Sequence, residues 1–394
     1  MTSQEIMFKI QTLNNISRNG LDRLPANLYR VANDIADADA VLVRSADMHA
    51  TPIPSSIKAV ARAGAGVNNI PVAELSSRGV PVFNAPGANA NAVKELVVAG
   101  MLLAARNLAD AIGFVRELKL DGDLHHRVEA DKKRFVGSEL AGKTLGVVGL
   151  GAIGVKVANA AYALGMRVLG FDPHMTVEGA WQLSSEVAKA GSLSELYAAS
   201  DYITFHVPLN DKTRGIFGAQ ALASARQGVV LLNFAREGIV DATVLREGLA
   251  SGRIGRYVSD FPEADLLGNP RVIALPHLGA STGEAEENCA VMVVDQLRDF
   301  LEHGNIRHSV NFPETRMART GTARICIANR NRPNMIGQLS QVLGEAGVNI
   351  AQMHNASRAD LAYTLVDVDS PVPDSLASAI SAIDGILSVR VIEG

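Results

Sequence analysis

The chain has 394 residues, long for a single hydrophobic core, which predicts two or three domains. With 47% hydrophobic residues, 20% charged residues and 35 glycines, the composition is that of a soluble, glycine-rich α/β protein. A net charge of -4 offers no basic field for nucleic acid or an anionic membrane, so an anionic ligand requires a local cluster of arginines.

The start, "MTSQEIMFKIQTLNN", has no basic segment leading into an apolar core, and no signal peptide is expected. No membrane span is expected either, because even "AVKELVVAGMLLAA" carries Lys94 and Glu95. Cys289 and Cys326 lie far apart, without metal-site or disulfide spacing, which fits a reducing cytoplasm and no bound metal.

Four short apolar runs come first, "MFKIQTL", "AVLVRS", "IKAVARAG" and "PVFNAP", with helix or turn signals between them. That alternation predicts a parallel, doubly wound sheet. Ala90 to Leu118 reads as one long amphipathic helix, long enough to pass from one domain to the next. The following segment, "DGDLHHRVEADKKRFVG", reads as a solvated loop in which Lys132, Lys133 and Arg134 could reach an anion. A second α/β series runs from "KTLGVVGLGAIG" to His277. After it, Ser281 to His303 reads as a single helix, Ser281 and Glu284 having capping-box spacing. "NFPETRMARTG" reads as a linker, and from Thr322 the order βαββαβ predicts a ferredoxin-like module. The expected division is 1–100 with 284–310 as one discontinuous domain, 101–283 as the second, a linker at 311–321, and 322–394 as the third.

Gly149, Gly151 and Gly154 form G-x-G-x-x-G between an apolar strand and a helix, and the next strand ends in Asp172. The first glycine permits the tight turn, the second lets a pyrophosphate approach the backbone, and the third packs helix on strand. The helix N-terminus supplies free amides for the phosphates. A carboxylate at Asp172 accepts ribose hydroxyls and repels a 2′-phosphate, favouring NAD over NADP. Later strands end in His206, Arg236, Asp260 and His277, so one carboxyl edge collects polar groups where open α/β sheets bind ligands.

"RSA" at Arg44, "RAGAGVNN" from Arg62, "PVFNAPG", "GLGAIG", "HVPL", "NFAREGIVD" and "LPHLGAST" together resemble the D-isomer-specific 2-hydroxyacid dehydrogenases. The C-terminal unit resembles an ACT regulatory domain. The resemblance implies two Rossmann-like domains with the active site in the cleft between them, and NAD as cofactor. It implies Arg236 as the arginine that binds the substrate carboxylate bidentately and His277 as the acid/base. It implies a carboxylate paired with that histidine: Glu263, although only three positions after Asp260, or else Asp265. Asp260 matches a residue beside the nicotinamide carboxamide. Glu237 stands where the family usually has glycine, either facing solvent or tuning Arg236.

Further cofactor contacts implied by the resemblance are Ala152, Ile153, His206, Val207, Pro208, Phe234, Ala235, Gly279 and Ala280. On the substrate side are the amides of Gly64, Ala65 and Gly66, with Arg44 and Ser45 for a phosphate; a surface salt bridge is the alternative for Arg44. Asn329, Asn331 and Asn349 match places around an L-serine effector, the alternative being a dimerisation module without ligand. The implied activity is NAD-dependent oxidation of 3-phospho-D-glycerate to 3-phosphohydroxypyruvate in a cytoplasmic homo-oligomer. Reduction of hydroxypyruvate or glyoxylate, and a non-catalytic NAD-sensing protein, are the alternatives.

Overall fold

A computed structural model describes residues 7–118 and 124–393. The chain divides into two compact units, Met1–Asn89 with Gly283–Gly394, and Ala90–Thr282.

The first unit holds two sheets. One is parallel: β1 (Phe8–Leu13), β2 (Tyr29–Ala32), β3 (Ala40–Val43), β4 (Ala59–Arg62) and β5 (Val82–Phe83), in the order β2-β1-β3-β4-β5. The expected strands are present, and "YRVA", a short segment without clear alternation, adds an edge strand. β3 is buried along its whole length, as a central strand covered on both faces must be.

The second unit is a seven-stranded parallel sheet. Its strands are β6 (Thr144–Val148), β7 (Arg167–Phe171), β8 (Ala188–Lys189), β9 (Tyr202–Phe205), β10 (Val229–Asn233), β11 (Ile254–Ser259) and β12 (Val272–Ala274). Their order, β12-β11-β10-β9-β6-β7-β8, reverses between β6 and β9, the switch point of a Rossmann sheet.

The ferredoxin-like module is β13 (Ala323–Arg330), β14 (Ile350–Arg358), β15 (Leu361–Val368) and β16 (Ile386–Glu393), antiparallel in the order β14-β15-β13-β16. Helices Met335–Glu345 and Asp374–Ser381 cover one face, packing Leu339, Leu343, Leu376 and Ile380 onto Ile325 and Ile327. Cys326, Ala328, Tyr363 and Leu365, from β13 and β15, join the core built on Phe83, Phe300 and Phe312.

Five expectations change. The division falls at Ala90 rather than after residue 100: Val93, Val97 and Met101 belong to the core of the second unit, with Val155, Ala158 and Ala161. The long helix is two, Ala90–Ala105 and Leu108–Glu117, bent by 69° at Asn107, whose φ of 51° ends the first helix in the left-handed region. The polar segment is helical over Leu124–Asp131 and Lys132–Phe135, with 121–123 outside the described residues. Two of its cations are engaged locally, Lys132 with Glu129 and Arg134 with Asp131. The linker is packed, not slack: Phe312, Thr315 and Met317 are buried, and Thr315 exchanges backbone bonds with Ile306. The helix after His277 begins at Gly283, so Ser281 and Glu284 do not form a capping box.

Candidate active site

Three neighbouring strands deliver the central groups. Arg236 follows β10, Asp260 follows β11 and His277 follows β12, all at the carboxyl edge. Arg236 is exposed, and its guanidinium meets only the carbonyl of Ala235, at 2.6 Å, among the described residues. The turn beneath it is braced by buried Asn233, which donates to Arg236 O at 2.9 Å and accepts the Ala235 amide at 3.2 Å. His277 is exposed and packs against Phe261, ring centroids 4.7 Å apart and planes tilted by 49°. Asp260 is 1% exposed and accepts the Gly279 amide at 3.0 Å, tying the His277 turn to β11. Burial pushes the Asp260 carboxyl up, opposed by the Gly279 amide and by His277.

The expected carboxylate partner of His277 is not in place. Glu263 makes no side-chain hydrogen bond or ion pair among the described residues. Burial pushes its carboxyl up, Asp265 and Glu237 add to that, and Arg246 opposes it. Asp265 is committed to Arg246, which holds its carboxyl below the ordinary range. The carboxyl that His277 acts on is that of Asp260.

The glycine loop has the geometry of a pyrophosphate cradle. Gly149 has a φ of 92°, and a Cβ there would lie 2.6 Å from His206 O. A Cβ on Gly154 would lie 1.9 Å from Gly149 O, so helix Ala152–Ala163 packs against the loop only with glycine here. At Gly151 a Cβ would meet no atom of the described residues within 4 Å, which leaves space in front of this backbone. The amides of Gly151, Ala152 and Ile153 find no acceptor among the described residues, as expected at a helix N-terminus built for an anion. Asp172 accepts the amides of Leu150 and His174, each at 2.8 Å, and each oxygen keeps a lone pair for a ribose hydroxyl. These residues fit NAD.

Around the cradle, Val207 lies against Gly149 and Pro208 is exposed. The Nε2 of His206 is 3.0 Å from Thr204 Oγ1, and its buried Nδ1 has no hydrogen-bond partner among the described residues. Burial pushes its pKa down to about 3, so it is a neutral wall rather than a proton carrier. The ring of Phe234 belongs to the core, against Gly100, which leaves its backbone to face a cofactor. Ala235 and Gly279 are buried, and Ala280 is half-buried.

In the first unit the amides of Ala65 and Gly66 have no acceptor among the described residues. Gly64 sits against Arg62, whose guanidinium a Cβ would approach to 2.6 Å. Arg44 and Ser45 follow β3, and Arg44 is paired with Glu286. In the C-terminal module a cavity of about 140 Å³ is lined by Asn329, Asn331, Asn334, Asn355 and Arg332. Asn329 is buried, and its Oδ1 has no hydrogen-bond partner among the described residues. Asn349 does not line the cavity; it bonds Asp369. Asn233 and Glu286 were not legible as site residues; an asparagine at the tip of an apolar strand is the only signal for the former.

The sheet order, the glycine cradle and the polar carboxyl edge define an NAD-binding oxidoreductase fold. Residues 98–279 match the family described as D-isomer specific 2-hydroxyacid dehydrogenase, NAD binding domain. The chain is 32% identical over 339 residues to the D-3-phosphoglycerate dehydrogenase of Haemophilus influenzae, covering 83% of this chain and 79% of that protein. It belongs to the D-isomer-specific 2-hydroxyacid dehydrogenase family. It is 35% identical over 339 residues to the D-3-phosphoglycerate dehydrogenase of Methanocaldococcus jannaschii, covering 84% of this chain but only 60% of that protein's length. Among solved structures, the NAD+-bound 3-phosphoglycerate dehydrogenase of Entamoeba histolytica aligns with a TM-score of 0.60 at 25% identity, over 77% of this chain and 99% of that one. A glyoxylate reductase from Paecilomyes thermophila aligns with a TM-score of 0.64 at 26% identity, over 77% and 98%.

Proposed function

We propose that the protein oxidises 3-phospho-D-glycerate to 3-phosphohydroxypyruvate, and catalyses the reverse, as the first step of L-serine biosynthesis. The observation that carries the reading is the delivery of Arg236, Asp260 and His277 from three adjacent strands to the edge that also holds the glycine cradle. Bound NAD supplies the hydride acceptor. Arg236 holds the α-carboxylate with its planar fork and fixes C2. His277, neutral, takes the C2 hydroxyl proton as the hydride leaves C2, and in reverse the imidazolium returns it. Asp260 keeps the His277 turn in register through Gly279. Arg44 and Ser45 take the phosphate end.

The Asn329 cavity is assigned to L-serine as an effector, with Asn331 donating from its rim. A homo-oligomer in the cytoplasm completes the proposal: Leu108, Ile112 and Val115 leave one face of helix Leu108–Glu117 apolar and exposed, suited to a second copy.

A second reading, reduction of hydroxypyruvate or glyoxylate, is favoured by one observation, the carboxylate already seated on Arg44. Loss of NADH absorbance with a panel of 2-oxoacids separates the readings. Turnover confined to phosphohydroxypyruvate supports the first, equal rates on the non-phosphorylated acids support the second, and silence on every acid leaves an NAD-sensing protein.

A further inference from the structure

The first sheet, β2-β1-β3-β4-β5, changes direction between β1 and β3, and ligands of such sheets bind outside the carboxyl ends of the strands that flank this switch point. The backbone after β3 is pinned there from several sides. Asn14, at a φ of 69° just past β1, accepts the amides of Ala46 at 2.5 Å and Ser45 at 3.2 Å on its Oδ1. Asn69 donates to the carbonyls of Arg44 and Ala46, at 3.3 and 2.7 Å. Arg62 donates to Arg44 O at 3.0 Å and to Gly66 O at 2.7 Å.

This bracing holds the backbone of Arg44 while leaving its side chain 37% exposed, with one guanidinium nitrogen on Oε1 of Glu286. Glu286 lies in the first turn of helix Gly283–His303, where the helix dipole favours a carboxylate. A pair this exposed contributes little to folding. Its consequence for binding is larger. An arginine at a switch point is a natural receptor for an anion, and here a carboxylate of the protein already occupies it.

We infer that Glu286 is a specificity-determining residue: it competes with the phosphate of the substrate for Arg44 and sets how strongly phosphorylated acids are preferred over non-phosphorylated ones. The inference rests on the assignment of Arg44 to the phosphate end. A dianion reaching Arg44 must displace the Glu286 carboxylate or share the fork with it against like-charge repulsion, whereas a substrate without phosphate leaves the pair closed.

The test is a double-mutant cycle on the ratio of kcat/KM for phosphohydroxypyruvate to that for hydroxypyruvate. Glu286→Gln is expected to raise the ratio about tenfold, equivalent to ~1.4 kcal/mol, and to have no effect on it in an Arg44→Ala background. A lower ratio in Glu286→Gln, or an equal change in both backgrounds, overturns the inference, because Glu286 would then position Arg44 or act elsewhere. If Arg44→Ala leaves the ratio at its wild-type value, the substrate assignment is what fails. In that case inhibition by inorganic phosphate decides: stronger inhibition of Glu286→Gln than of wild type supports competition at Arg44, and equal inhibition refutes it. Melting temperatures of both variants confirm that each is folded.

Discussion

Asp260 accepts the amide of Gly279 on Oδ2 at 3.0 Å, while its buried Oδ1 has no hydrogen-bond partner among the described residues. One bond therefore joins the end of β11 to the turn that presents His277. Asp260→Ala removes the acceptor and leaves a buried amide unpaired, with an expected stability loss of about 1–3 kcal/mol. Turnover should fall about tenfold or more as the histidine loses its fixed position. Because burial raises this carboxyl, its stability contribution is full below the ordinary value of about 3.9 and is lost as pH rises through the folded value. The melting temperature of Asp260→Asn relative to wild type should therefore climb between acidic and neutral pH. A flat or falling difference contradicts the assignment.

Two glycines of the cradle should behave differently. Gly151→Ala meets no protein atom within 4 Å, so its melting temperature should match wild type while NADH affinity falls about tenfold or more. Gly154→Ala forces a Cβ to 1.9 Å from Gly149 O and should lose both stability and NADH binding. Calorimetry and NADH titration of the two variants check the pair.

Replacing Arg236 by Lys keeps the charge and removes the fork. KM for the 2-oxoacid is expected to rise about ten- to a hundredfold, consistent with the loss of ~1.4–3 kcal/mol from a bidentate contact. NADH affinity should change little. Steady-state kinetics with each substrate varied in turn would expose an error, since a change confined to NADH contradicts the role given to Arg236.

Arg324 and Asp367 are fully buried and bonded at 2.6 and 2.9 Å, and Arg324 also donates to the carbonyls of His303, Met317 and Ala318. Burial alone would raise the Asp367 carboxyl, but the Arg324 fork and the Thr320 amide hold it below its ordinary value. The stabilisation is present above about pH 4 and lost as pH falls through the folded value. Asp367→Asn strands a buried guanidinium and should cost about 3–5 kcal/mol at neutral pH. The deficit should shrink in acid. Denaturant melts across that range measure it.

Features carried by short sequence spacings were legible: the glycine triplet, Asp172 and the polar residues at strand tips each follow from a few consecutive positions. The bend at Asn107 was not, because the apolar periodicity continues across it and only the left-handed asparagine interrupts the backbone. "YRVA" was missed since four residues carry too little alternation. The packed linker and the Arg44–Glu286 pair depend on contacts between distant segments, 242 positions apart in the second case. Glu263 was placed by motif, yet its surroundings are set by neighbouring Asp265 together with Glu237 and Arg246, which tertiary packing brings near.

Turnover and NADH binding measured on His277→Gln address the central proposition most directly. The imidazole is exposed, packed at a tilt against Phe261, and outside the glycine cradle. The expected result is a kcat lowered about a hundredfold or more with the dissociation constant for NADH nearly unchanged. A variant that turns over at the wild-type rate contradicts the assignment of His277 as the acid/base.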